Sequence, residues 1–219
     1  MLCGAYKMDK KIELIINELL QNKFKFSQGK LIYDIEKIDD TARYVYKFCI
    51  NGQSYFLKSF ETSEEINALK IIEQLGFSDI IEIKYPLFVE KGYSGLTLNE
   101  FINNENAGVV LAELFNKLHG NKIILGDVKE EHFFYNPETN EIKITDFGAS
   151  EISDSSYKRD DDIYQLLCII NKRLSYDDGF KIWRNFQERY MFKDVFSHSC
   201  GCFFIESAAF LDGHSLPHK

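Results

Sequence analysis

The sequence predicts an α+β fold with two unlike halves, and three observations carry that expectation. Residues 30–60 hold short runs rich in Tyr, Phe, Ile and Val, broken by Asn51-Gly52, a pair that favours a tight hairpin. Leu111, Leu114, Phe115 and Leu118, and then the stretch from Asp160 on, carry apolar side chains at helical spacing. Between them, Gly92 and Gly95 mark a change of pattern at residues 90–97, where a hinge is expected.

Taken in order, KKIELIINELL at 10–20 places Ile12, Ile15, Ile16, Leu19 and Leu20 on one helical face. LIYDIEKI and RYVYKFCI then read as strands joined near Asp39–Ala42, and SYFLKSF reads as a third strand after Asn51-Gly52. Thr62 or Ser63 can cap a helix over EEINALKIIEQL, which Gly76 ends. IIEIKY and PLFVE are two further strand candidates. Leu111, Leu114, Phe115 and Leu118 form an apolar stripe on a helix ending near His119-Gly120. IILGD, HFFYN and IKITDFG read as short strands and loops. From Asp160 on the pattern is mainly helical, and Trp183, Phe186 and Tyr190 read as core. The expected division is one domain over 1–219. Residues 1–90 make a small β half with the helix at 10–20, and residues 91–219 make a mostly helical half.

Composition narrows the function classes. The chain of 219 residues has 45% hydrophobic and 27% charged residues, with 19 Phe and 12 Tyr, enough to build a sizeable core. Its net charge of −8 argues against nucleic acid and anionic membrane surfaces, which reward clustered Lys and Arg. No apolar run reaches the length of a membrane span, and MLCGAYKMDKK lacks the apolar stretch of a signal peptide. Five cysteines at irregular spacing read as reduced thiols, so a cytoplasmic setting is expected, or a host-cell cytosol if the chain is an effector. His198, Cys200 and Cys202 lack a second ligand pair for zinc, and Cys3 has no myristoylation signal beside it.

Three islands carry the chemistry. Lys58 ends the apolar run Tyr55-Phe56-Leu57. Gly126-Asp127-Val128-Lys129 follows Ile123-Ile124-Leu125. Thr145-Asp146-Phe147-Gly148 follows Ile142-Lys143-Ile144. Each puts a charge just beyond a buried β segment, which holds it rigidly at a surface without burying it in the core. Phosphoryl transfer needs such parts: a lysine for nonreacting phosphates, a carboxylate for a metal, and a second carboxylate for the nucleophile's proton.

This order and spacing resembles the protein-kinase superfamily over roughly residues 30–190. The residues that carry the likeness are FLK at 56–58, LH at 118–119, GDVK at 126–129, TDFG at 145–148 and Asp161/Asp162. The resemblance implies a bilobal kinase-like fold with a small antiparallel β N-lobe and a reduced helical C-lobe. It implies ATP and Mg²⁺ as cofactors. Lys58 would contact the α- and β-phosphates, with Glu65 as its partner and Glu64 as the alternative. Asp127 would be the catalytic base or orienting carboxylate, and Lys129 would stabilise the transferred phosphoryl. Asp146 would bind the metal at the head of Asp146-Phe147-Gly148, and Glu90 and the next few residues would meet the adenine.

Four departures from the family pattern stand out. No glycine-rich loop lies between the first two strands; the turn there is Asp39-Asp40-Thr41-Ala42, whose acids repel a triphosphate if they face it. His132 stands where the family has a metal-binding asparagine. It leaves open a site preferring Mn²⁺, a contact through water, a single bound metal, or a plain loop hydrogen bond. Leu125-Gly126 replaces the His-Arg that precedes the catalytic aspartate. Only 15 residues separate Asp146 from Asp162, so the long activation segment has no counterpart. This compactness is similar to RIO-type and lipopolysaccharide-core sugar kinases and to small bacterial effector kinases, whereas Asp127-Val128-Lys129 is the serine/threonine protein-kinase spacing. The expected function is phosphoryl transfer from ATP to a protein hydroxyl. Two alternatives remain: a pseudokinase acting as a binding module, and a kinase of a sugar or an antibiotic.

Overall fold

The structure is a computed structural model, and it describes residue 14 and residues 25–38, 43–60 and 62–192. The helix expected at 10–20 lies, apart from Leu14, outside the described residues. So do Cys3, the turn at Asp39–Ala42, and residues 193–219 with His198, Cys200 and Cys202.

The chain divides into two compact units. The first takes the described residues up to Phe60 together with 79–93 and is built on a five-stranded antiparallel sheet. Its strands are β1 (Ile32–Ile38), β2 (Val45–Ile50), β3 (Gln53–Ser59), β4 (Ile80–Lys84) and β5 (Leu87–Lys91), in the order β1-β2-β3-β5-β4. Asn51 and Gly52, with φ of 52° and 81°, make the β2–β3 turn. Two successive positive φ values suit the twist of a hairpin, and Asn-Gly adopts them at low cost. Tyr33 Oη accepts from the Gly52 N–H at 2.8 Å and ties β1 to that turn.

Side chains alternate across the sheet, so its two faces differ in chemistry. Leu57, Leu87 and Val89 pack with Phe48 and Ile50 into a buried apolar cluster. Each such side chain contributes about 1.5–3 kcal/mol relative to exposure. The register pairs Lys58 with Phe88 and Phe56 with Glu90. Those four side chains therefore share the other face of β3 and β5.

The second unit takes residues 62–78 and 94–192 of the described chain. Its first helix, α1 (Ser63–Gln74), starts where Thr62 Oγ1 accepts the Glu65 N–H at 3.1 Å, the N-cap its sequence predicts. Then come β6 (Leu96–Thr97), α2 (Leu98–Phe101), α3 (Ala107–Gly120), β7 (Ile123–Ile124), β8 (Phe133–Asn136), β9 (Glu141–Ile144), β10 (Glu151–Ile152), α4 (Ser156–Arg173) and α5 (Tyr176–Arg189). Three strands pair as β6-β8-β9 and two as β10-β7. Helix α4 begins earlier than its apolar spacing suggests, because Ser155 Oγ caps it by accepting from the Lys158 N–H.

The core of this unit is α3 against α5. Leu111, Phe115, Leu118, Trp183, Phe186 and Tyr190 are all buried. The helices touch at Gly108, where an added Cβ would lie 2.2 Å from the Ile182 carbonyl oxygen. A helix interior accepts glycine at a cost of about 1 kcal/mol; here it permits the contact. Among the described residues no helix is long and apolar enough to cross a membrane.

Candidate functional site

Two constellations hold the residues that the sequence singled out, one in each unit. In the sheet unit, β3 carries Lys58 to the face shared with Phe56, Phe88 and Glu90. Lys58 is 6% exposed and Glu90 1%. The Lys58 Nζ lies 2.7 Å from Glu90 Oε2, a buried charge-assisted hydrogen bond. The same Nζ is 5.7 Å from the Phe56 ring centroid. The side chain of Glu90 thus pairs with Lys58 within the sheet. Glu65, the partner implied by resemblance, belongs to the helical unit, buried in the first turn of α1.

In the helical unit, Asp127 follows β7 on a loop held from behind. Gly126 has φ of 74°, and a Cβ there would lie 2.7 Å from the Ala149 carbonyl oxygen, so glycine is required both by conformation and by space. Asp162 on α4, with no exposed surface, accepts from the backbone N–H groups of Leu125 at 2.9 Å and Gly126 at 2.8 Å. His119 Nε2 lies 3.2 Å from the same carboxylate. A carboxylate only accepts, so Nε2–H donates to Asp162, and His119 Nδ1 accepts from the Tyr190 hydroxyl at 2.5 Å. One turn further along α4, Gln165 accepts from the Val128 N–H at 2.7 Å and donates to the Gly126 carbonyl. Both neighbours of Asp127 are therefore pinned to one rigid helix.

The acidic groups meet around His132. The 3-10 turn Glu130–His132 brings this imidazole back under Asp127, whose carbonyl oxygen lies 3.1 Å from Nδ1. A carbonyl only accepts, so Nδ1 carries the proton. The other nitrogen, Nε2, faces Asp146 Oδ2 at 3.7 Å. Asp146 itself is placed by the Thr145 N–H, which donates to the His132 carbonyl at 2.9 Å. Its φ is 64°, a left-handed conformation that aspartate tolerates better than most residues. Phe147, fully buried, anchors the turn, and Gly148 is buried beside it. The Asp146 side chain remains 43% exposed.

Lys129 completes the group. Its Nζ lies 2.6 Å from Asp127 Oδ2. That hydrogen bond raises the ammonium pKa above its usual value against the opposing effect of burial, and the charges of Asp127, Glu131 and Asp146 add to the rise. Glu130 points the other way, to Arg173 at 2.5 Å and Lys172 at 3.6 Å on α4. The hydrogen bond from Arg173 holds the Glu130 carboxyl below its usual range.

The donors suit a metal that is shared with a ligand. Asp146 offers one carboxylate, which is what a nucleotide-bound divalent ion takes from a protein while phosphate oxygens and waters fill its other positions. The His132 Nε2 beside it is a nitrogen that Mn²⁺ accepts more readily than Mg²⁺ does. No cluster of three His, Cys, Asp or Glu side chains exists among the described residues to cage an ion without such a ligand.

Sequence reasoning missed two contributors, Gln165 and the Tyr190 hydroxyl. Gln165 was legible as a polar residue one helical turn after Asp162. Tyr190 read as core, which its ring is, and its hydroxyl gave no signal of its own. Glu90 was singled out for the adenine, and its pairing with Lys58 was not foreseen.

The chain is an α+β protein with a small antiparallel sheet unit and a mostly helical unit that carries Asp127 and Asp146. No family model matches the chain, and no curated protein matches it in sequence. Among solved structures it is similar to the Cydia pomonella granulovirus kinase PK-1, with 21% identity and a TM-score of 0.44. The likeness covers 66% of this chain and 57% of the viral kinase, so the chain spans little more than half of that protein.

Proposed function

We propose that the chain is a phosphotransferase that moves the γ-phosphoryl of ATP to a hydroxyl group, and that it acts as a minimal serine/threonine protein kinase. The observation that carries this reading is the meeting of Asp127 and Asp146, 19 positions apart, on the two nitrogens of His132. The Thr145 N–H joins the same two turns by donating to the His132 carbonyl, and both carboxylates are partly exposed.

In this reading the acceptor hydroxyl oxygen bonds to the γ-phosphorus as the bond to the ADP oxygen breaks. Asp127 orients the hydroxyl and takes its proton. Lys129, held on Asp127, neutralises charge on the transferred group, and Lys58 serves the nonreacting phosphates. Asp146, with His132, would hold the divalent ion, which when bound neutralises charge on the phosphate oxygens. The pinned backbone at Leu125, Gly126 and Val128 lets these groups act without reorganising.

A second reading, a binding module without turnover, is favoured by Glu90 neutralising Lys58. Two measurements separate the readings. Thermal unfolding with ATP and either Mg²⁺ or Mn²⁺ should show stabilisation of about 2.7 kcal/mol at 100 times Kd. Labelled ATP offered with generic protein acceptors, against a panel of sugars and antibiotics, should label protein. Stabilisation without labelling of any acceptor supports the binding module, and labelling of a small molecule alone overturns the choice of acceptor.

A further inference from the structure

We infer that Glu90 is an internal competitor for the phosphate site on Lys58, so that it sets how weakly this chain holds a triphosphate. The inference rests on the function proposed above, and specifically on Lys58 as the phosphate-facing lysine.

The ammonium that should attract a polyphosphate is already neutralised. Glu90 Oε2 sits 2.7 Å from Lys58 Nζ, and both side chains are nine-tenths or more buried. The arrangement belongs to the sheet itself. Glu90 stands across from Phe56 in the β3–β5 register, one pair along from Lys58 and Phe88, so the two strands deliver acid and base to one face. Neither side chain reaches the other by chance of surface motion, since aromatic residues flank them. Phe56 lies under the Nζ at 5.7 Å, and Phe88 is packed by Phe60 at 4.8 Å and by the Arg43 guanidinium at 5.9 Å.

An anion approaching Lys58 therefore meets the Glu90 carboxylate beside the ammonium. Like charges within about 4–6 Å oppose each other's ionised forms, and little water is present to screen them. Lysine has three N–H donors and can turn one to a phosphate while keeping Glu90. The carboxylate then stays beside the phosphate, at a cost in affinity. A triphosphate binds well only when Glu90 moves off. The chemical class disfavoured is any ligand that puts an anion at Lys58. A ligand that is neutral at that point is not penalised.

The test is calorimetric titration of the parent chain and of Glu90→Gln, with Mg²⁺-ATP and separately with inorganic tripolyphosphate. Gln keeps the shape and removes the charge. If Glu90→Gln does not fold, Glu90→Thr, short and suited to a strand, replaces it. The neutral variant should bind both probes more tightly than the parent, by about tenfold or more, the worth of one charge-assisted hydrogen bond. Equal or weaker binding by a folded neutral variant, when the parent binds ATP, overturns the inference and leaves the phosphotransferase reading intact. A gain with ATP but none with tripolyphosphate also overturns it, because the effect would then lie at the base. Failure of every chain to bind ATP overturns the phosphotransferase reading, and the inference with it.

Discussion

His119 and Asp162, 43 positions apart in sequence, lie 3.2 Å from each other with both side chains fully buried. The contact joins α3 to α4 and aims a carboxylate at the two backbone N–H groups that precede Asp127. A buried carboxylate with three donors is stable only as a set. Removing one member leaves the others buried and unmatched.

Asp162→Ala should destabilise the helical unit by roughly 3 kcal/mol or more, because three buried donors lose their acceptor at about 1–3 kcal/mol each. His119→Ala should cost less, about 1–3 kcal/mol, since the backbone donors remain on Asp162. Denaturant unfolding of both variants and of the double variant checks this. The double variant should fall well short of the sum of the two single losses.

Gly126→Ala should lower stability by about 1–3 kcal/mol through the left-handed conformation alone. The Cβ contact at 2.7 Å to the Ala149 carbonyl adds to that, because the opposing atom is backbone. Gly120→Ala is the control, since a Cβ there meets nothing within 4 Å and its helical position favours alanine. Thermal unfolding should separate the two by several degrees.

Glu130 predicts an acid-side dependence. Its carboxyl is held below the usual 4.5, first by the hydrogen bond from Arg173. A depressed carboxyl contributes stability that is fully present above its unfolded value and is lost as pH falls through the folded one. The loss should therefore begin near pH 4.5 and grow toward pH 3. Glu130→Gln should remove that part of the slope and leave the curve above pH 6 parallel to the parent's. Unfolding free energies measured from pH 7 to pH 3 decide it.

Much of this fold was legible from local pattern. Asn51-Gly52 announced the hairpin, Thr62 or Ser63 the helix cap, which the structure gives to Thr62, and the stripe from Leu111 to Leu118 the helix that lies at the centre of the second unit. The candidate site was legible where a short strand ends in a charge, at Asp127 and Asp146. What pattern could not supply was partnership between distant residues. Lys58 pairs with Glu90 because β3 lies against β5, a register that no local period encodes. Gln165 holds Val128 across 37 positions for the same reason. Strands of two residues, such as β7 and β10, are too short to leave a period and exist through their pairing.

The proposed site depends on Asp127 and Asp146 working in one reaction. Single-turnover phosphoryl transfer by the parent, Asp127→Asn and Asp146→Asn, with ATP affinity measured on the same samples, tests it most directly. Asp127→Asn should slow transfer by about 10²–10⁴ while binding metal-ATP as the parent does. Asp146→Asn should lose metal-dependent ATP binding. Transfer at the parental rate in Asp127→Asn, or unchanged metal-ATP binding in Asp146→Asn, would contradict the account.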